Sequence, residues 1–368
     1  MTKSELSPQA RRLHEESLFV DVHNHFMFEY AIREALGQSE IFDNWYAPVL
    51  RKGGIDVIAT SVGGNSPCVC NLTDNLVHGS LEQIDMLRRA EERSTSFRIC
   101  HNAVEVEQAA AEGKIAVLLA MEGARALEGL EGEESLVMLR TFYRLGLRVV
   151  CIVGGGRTRF GDGMGEDRAQ AGLTTFGVKL VEEMNRLGML VDLTHMTDRT
   201  FFDTLDVSNR PVVVSHIGAQ AVCPNPNNLS DERILAIGEN GGVIGMEMVK
   251  TEIKWNYQES DAPVTWRDVI KHIDHIAGLI GTDHIGLGLD YDHFPLVDNI
   301  HRAMCPGPGS IEGFYTGVPE SNHMLDEPNN LGESWMITEY LLQHGYSDYD
   351  VQKILGGNMM RLFRETLV

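Results

Sequence analysis

No stretch of this 368-residue chain stays apolar long enough to span a bilayer. Basic residues are scarce: 31 Lys and Arg stand against 53 Asp and Glu, a formal charge of −22. Nucleic acids and anionic membranes select for basic patches, so neither is an expected partner. Cysteine is sparse too. Cys68, Cys70, Cys100, Cys151, Cys223 and Cys305 are too scattered for a disulfide scaffold, and Cys68-Val69-Cys70 is not a CxxC pair, so structural thiols in a reducing compartment are expected. The segment Met1–Ser17 lacks the apolar core and small-residue cleavage site of a secretory leader, which points to the cytoplasm. No internal repeat or low-complexity linker divides the chain, so residues 1–368 are read as one domain.

What is present is an alternation. Eight short, apolar, β-rich segments recur at Leu18–His25, Ile55–Val62, Ile115–Glu122, Arg148–Val153, Leu190–His195, Val212–His216, Gly242–Met248 and His284–Asp290. Helical compositions lie between them, at Ser80–Arg93, Leu136–Leu145, Thr175–Leu187 and Trp266–Ile280. Strands alternating with helices imply parallel βαβ units. Eight of them suggest an α/β protein of the closed (β/α)8 type, a TIM barrel, with a doubly wound open sheet as the competing arrangement. A helix should precede the barrel, and Ser334–Leu342 and Asp348–Phe363 read as closing helices. The Pro- and Gly-rich run Cys305–Pro319, within an insertion near 300–325, is either a lid or a passive surface loop.

The strand ends carry the chemistry. The first closes Asp21-Val22-His23-Asn24-His25, and residues i and i+2 of a strand share a face, so His23 and His25 point together. The third ends at Glu122, the fifth at His195, the sixth at His216 and the eighth at Asp290. In a (β/α)8 barrel the C-terminal strand ends form the active face. One such histidine would be an ordinary core residue. Four histidines and two carboxylates at equivalent heights are costly to bury without a cation. These donors suit zinc best, with manganese, iron or cobalt as alternatives.

An HxH on strand one, histidines ending strands five and six and an aspartate ending strand eight resemble the amidohydrolase superfamily. Glu122 on strand three, with GLTTFGVKLVEEMNRLGMLVDLTHMTD (172–198), VVVSHIGAQAV (212–222), HIDHIAGLIGTDHIGLGLDYD (272–292) and ILGGNMMRLF (354–363), resembles the membrane (renal) dipeptidase family, peptidase family M19. The resemblance covers nearly the whole chain. It implies two divalent metals: His23, His25 and Asp290 on the first, Glu122 bridging, and His195 and His216 on the second. It also implies a hydroxide nucleophile between the metals, with Asp290 as the catalytic general base and acid for amide hydrolysis. The family is often dimeric, and its substrates are small molecules.

Three departures concern the substrate. The family's strand one reads HxD, whereas here His25 stands in the aspartate's place, leaving the metals more electrophilic. Its Thr-His pair after strand four, which stabilises an oxyanion, is replaced by a stretch that puts Gly154 at the histidine. Its Pro-x-Pro-Arg-Asn arginine, which grips a terminal carboxylate, becomes Asn227. A neutral amide cannot make that bidentate clamp. Either Arg157 or Arg159 returns the charge from the new glycine-rich loop, or the substrate is not a free dipeptide. The expectation is therefore a hydrolase of a dipeptide or N-acyl amino acid, with Arg157, Arg159 and Asn227 as substrate contacts. The alternative is a relative recruited to other C–N or lactone hydrolysis, isomerisation or elimination. Gly154-Gly155-Gly156 lacks the Lys-Ser/Thr of a phosphate loop. His272 and His275 read as packing or surface residues, Asp292 and His293 as neighbours of the site, and Met246, Glu247 and Met248 as possible substrate contacts.

Overall fold

The run Ile115–Ala120 contains no polar residue, so a strand there needs cover on both faces. The computed structural model supplies it. It describes residues 6–64, 76–129, 132–255, 262–291 and 324–368. In chain order the strands are β1 (Val20–Asn24), β2 (Val57–Gly64), β3 (Phe97–Ile99), β4 (Ile115–Glu122), β5 (Leu147–Cys151), β6 (Leu190–Asp192), β7 (Val213–Val214), β8 (Val243–Met246) and β9 (Ile285–Leu287). All pairings between them are parallel. Because β2 pairs with both β1 and β4, and β1 with β9, eight strands close a ring, a (β/α)8 barrel. The open-sheet alternative is excluded.

Alternate residues of β4 go to different places. Ala116, Leu118 and Ala120 join Val20, Val22, Val57, Ala59, Val149, Leu190, Val213 and Val243 in one buried cluster, which is the barrel lumen. Helices Ala103–Ala111 and Asn358–Thr366 plug it with Val106, Met359 and Phe363. Ile115, Val117, Leu119 and Met121 belong instead to the outer cluster, which also holds helix residues such as Leu87, Phe142, Leu180 and Ile237. By the same period of two, Glu122 follows Ala120 into the lumen.

The eight expected strands all appear: Ile115–Glu122 keeps its bounds, Ile55–Val62 is shifted to Val57–Gly64, and the other six are shorter. The ninth, β3, lies beside the start of β4 and was missed because three residues carry too little periodicity. The helix Pro8–Glu16 precedes the barrel, and Trp335–His344, Asp348–Gln352 and Asn358–Thr366 follow it. Among the described residues no helix is long and apolar enough to cross a membrane. Cys68, Cys70, Cys305, Asp292, His293 and the run 305–319 lie outside the described residues. Cys100, Cys151 and Cys223 are buried thiols without disulfide partners.

Candidate metal centre

Strands β7, β8 and β9 approach one another closely under the active face. A Cβ on Gly245 or Gly288 would fall 1.9 or 1.8 Å from the Ser215 carbonyl oxygen, so only glycine fits at either point. That approach draws together the residues leaving these strands. Two strand-end residues, His195 after β6 and Asp290 after β9, take left-handed backbone angles, with φ of 63° and 48°. Such angles are uncommon outside glycine and are held where the surroundings over-determine them. Here Met164 N–H donates to the His195 carbonyl at 2.8 Å, and Asp290 N–H donates to the His23 carbonyl at 3.2 Å.

All six expected strand-end residues converge. His23 Nε2 lies 2.9 Å from His25 Nε2, and His195 Nε2 lies 3.0 Å from His216 Nε2. Asp290 Oδ1 is 3.1 Å from His25 Nε2 and 3.5 Å from His23 Nε2. The two oxygens of Glu122 divide: Oε1 faces His195 at 3.0 Å, while Oε2 faces His25 at 3.5 Å and His23 at 3.8 Å. The halves touch, since the His23 and His216 rings stack with centroids 3.7 Å apart. Ligands on one tetrahedral ion with bonds of about 2.0–2.2 Å stand roughly 3.3 Å apart. The imidazole pairs and the divided carboxylate therefore fit divalent cations, and the donor set is one that zinc-like ions prefer.

Burial and mutual charge shift His23, His216, His195 and Glu122 in different directions. Burial, then the charge of His25, lowers the His23 imidazole to about 3, and burial likewise holds His216 well below its ordinary value. Burial opposes charge on His195 as well, but the hydrogen bond to Glu122 outweighs it and raises His195 to about 9. Burial would raise Glu122, yet the same bond and the neighbouring imidazoles hold it well below the usual carboxylate range. His195 Nε2 lies 3.0 Å from both Glu122 Oε1 and His216 Nε2, the face from which it would hold a metal.

Behind the cluster lie residues to which the sequence reading assigned no role. Asp192 Oδ1 accepts Thr194 O–H at 2.6 Å, so the one Thr194 hydroxyl proton is spent. Ser215 O–H must then donate to Thr194 Oγ1 at 3.1 Å, and Ser215 Oγ accepts from His216 Nδ1 at 2.8 Å. The chain of bonds leaves the lone pair of His216 on Nε2, facing the centre. On the other side, buried Asp21 accepts from the N–H groups of Leu289 at 2.8 Å and His23 at 3.4 Å, joining β1 to the end of β9. Burial pushes Asp21 up to about 7. The available signal was an aspartate two residues before His23 and three before His195.

The proposed substrate contacts are placed differently. Arg157 is half-exposed, and its Nε donates to buried Asp162 at 2.5 Å. Arg159 lies over the Phe176 ring at 4.9 Å, while its backbone N–H donates to Glu128 at 3.0 Å. The loop that carries them is stitched by Gly163 N–H to the Gly156 carbonyl and Gly165 N–H to the Gly155 carbonyl. Asn227 donates to Glu252 Oε1 at 2.6 Å. His272 is buried, bonded to Ala219 N–H and the Ile253 carbonyl, and His275 pairs with Asp231, so neither belongs to the centre.

The family model for membrane dipeptidase (peptidase family M19) matches residues 7–301. The dipeptidase tcpJ of Claviceps purpurea is 32% identical over 301 residues, 80% of this chain and 62% of that protein. Dipeptidase 3 of Rattus norvegicus is 30% identical over 304 residues, 81% of this chain. The chain spans 54% of the length of that second relative. A metallopeptidase of Rhodobacter sphaeroides, solved with a phosphinate mimic of the dipeptide L-Ala-D-Ala, superposes with a TM-score of 0.77 at 23% identity, over 95% of this chain and all of that one. That likeness carries the fold. The model match over residues 7–301 carries the family: this chain belongs to the membrane dipeptidase family, peptidase family M19.

Proposed function

We propose that the chain is a metal-dependent hydrolase of a small amide, either a dipeptide or an N-acyl amino acid. The observation that carries this reading is the division of Glu122, one oxygen toward each pair of imidazoles. His23, His25 and Asp290 would hold one divalent ion, His195 and His216 a second, and Glu122 would touch both. Bound there, two such ions lower the pKa of a water molecule and polarise the scissile carbonyl. Zinc suits these donors best, with manganese, iron or cobalt able to replace it.

The protein's own part is positioning and proton transfer. Asp290, nearly buried and fixed by its strained backbone, takes a proton from the attacking water and returns it to the leaving nitrogen. Gly154 contributes no side chain at the rim. Arg157, aimed by Asp162, is the arginine we assign to a substrate carboxylate or developing oxyanion, because Arg159 is engaged by Phe176. Turnover of a panel of L,L- and L,D-dipeptides and N-acetyl amino acids, by protein stripped with chelator and then reloaded with zinc or manganese, tests the reading. Metal-restored hydrolysis of at least one amide is expected. A metal-loaded protein inert toward the whole panel would remove the amide-hydrolase assignment.

A further inference from the structure

Past the end of β8 the chain holds two carboxyls that this chemistry does not use. Glu247 is 1% exposed and Glu252 is 8% exposed. Glu252 Oε1 accepts from the Asn227 amide at 2.6 Å. Glu247 and Glu252 face each other at hydrogen-bonding reach, and Glu252 Oε2, Glu247 Oε1 and Asn227 Oδ1 are buried with no N–H donor. The group lies beside the metal centre: Asp290 acts electrostatically on Glu247, and Glu252 acts on His195. Burial, reinforced by Glu252, pushes the Glu247 carboxyl well above the usual range. The neighbouring cation, Lys250, points its ammonium at Asp326, 2.6 Å away.

Two buried carboxyls that must share a proton, beside an amide oxygen with no donor, are costly, and buried carboxyls are ordinarily paired with a cation. What this place lacks is a cluster of N–H donors bearing positive charge, which an ammonium or guanidinium provides. A carboxylate would meet two acids there and be repelled. We propose that Asn227, Glu247 and Glu252 form a subsite that binds a cationic group of the substrate, such as the ammonium or guanidinium of a lysine- or arginine-like moiety. The subsite rests on the amide-hydrolase reading for the fate of the rest of the substrate.

The test uses the metal-loaded full chain and agmatine, a guanidinium amine with no amide to cleave. Calorimetry should show agmatine binding, with n-butyramide, its uncharged control, not binding. Agmatine should bind at least about tenfold more weakly to Glu247→Gln and to Glu252→Gln, as expected when one partner of a buried charge pair is neutralised. Melting curves would confirm that both variants fold. Dipeptides containing Lys or Arg should exceed their Leu or Glu counterparts in kcat/KM, and the ratio should shrink in both variants. Undetectable agmatine binding, or equal binding by wild type and both variants, overturns the subsite. So does loss of one metal ion per chain in both variants, because the acids would then hold a further metal. Failure of the amide reading looks different: agmatine binds, yet no dipeptide is cleaved.

Discussion

His23 and His25 belong to one strand, whereas His195 and His216 leave two. The first pair needs only the period of a strand to share a direction, helped by the register shift in β1 between Asp21 and Asn24. Its supporting aspartate, Asp21, accepts from the backbone N–H groups of Leu289 and His23 and from the Asn24 side chain, tying β1 to the residue before Asp290 without touching either imidazole. The second pair has no such help. Its aspartate, Asp192, reaches through two hydroxyls and fixes which nitrogen of His216 faces inward. Both carboxylates hold backbone N–H groups, but only Asp192, where strand geometry does not supply convergence, is also linked through hydroxyls to an imidazole of the centre.

The sharpest break in this comparison comes from the residue that belongs to one half alone. Asp290→Asn keeps a ligand oxygen beside His25 but cannot accept a proton. Turnover should fall by about 10²–10⁴-fold, the usual worth of a general acid–base. Metal content, read by atomic emission, should stay near wild type. Wild-type turnover in this variant would take Asp290 out of proton transfer.

Ser215→Ala should act on the other half. It removes the acceptor for His216 Nδ1 while leaving every proposed ligand in place. Loss of a partner of this kind costs about 10–100-fold in metal affinity. A chelator titration should therefore show one ion released early and one retained. Release of both together would mean that the halves are not independent, and an unchanged titration would remove the hydroxyl chain from any role in metal binding.

This asymmetry also marks what a sequence can disclose. His23 and His25 were legible because their spacing matches the strand period, and Glu122, His195, His216 and Asp290 because each ends an apolar run. Counting such runs suggested barrel closure but left an open sheet standing, which only the pairing of β2 with both β1 and β4 excluded. The hydroxyl chain was not legible, because Thr194 and Ser215 are common strand residues whose roles depend on β6 and β7 lying side by side. Nor was the Asn227–Glu252 contact, which joins the loop after β7 to the short helix after β8, 25 residues on. In both cases the information lies in pairs of strand ends and not in any one segment. The arginines show the converse. Sequence position put Arg157 and Arg159 in one loop, and packing gave them different neighbours, Asp162 and Phe176.

The smallest expected effect concerns the proton that stands in for metal, and it separates the halves by pH. In metal-free protein His195 is raised to about 9 from an unfolded value near 6.5, so its contribution to stability is full below about pH 6.5 and fades as pH rises toward 9. His23, lowered to about 3, has the opposite sign: its neutral form is favoured by the fold, and stability is lost as pH falls below about 6.5. Asp21, raised to about 7, adds its own loss between about pH 4 and 7 as the pH rises, which blurs the acid side. Between pH 7 and 9 only the His195 half contributes among these three. The melting temperature of chelator-treated protein should therefore fall across that window. Reloading with zinc should flatten the slope, because a metal on Nε2 replaces the proton. Glu122→Gln should flatten it without metal, since a neutral amide no longer raises His195. A slope that survives both treatments would place its source outside the His195–Glu122 pair.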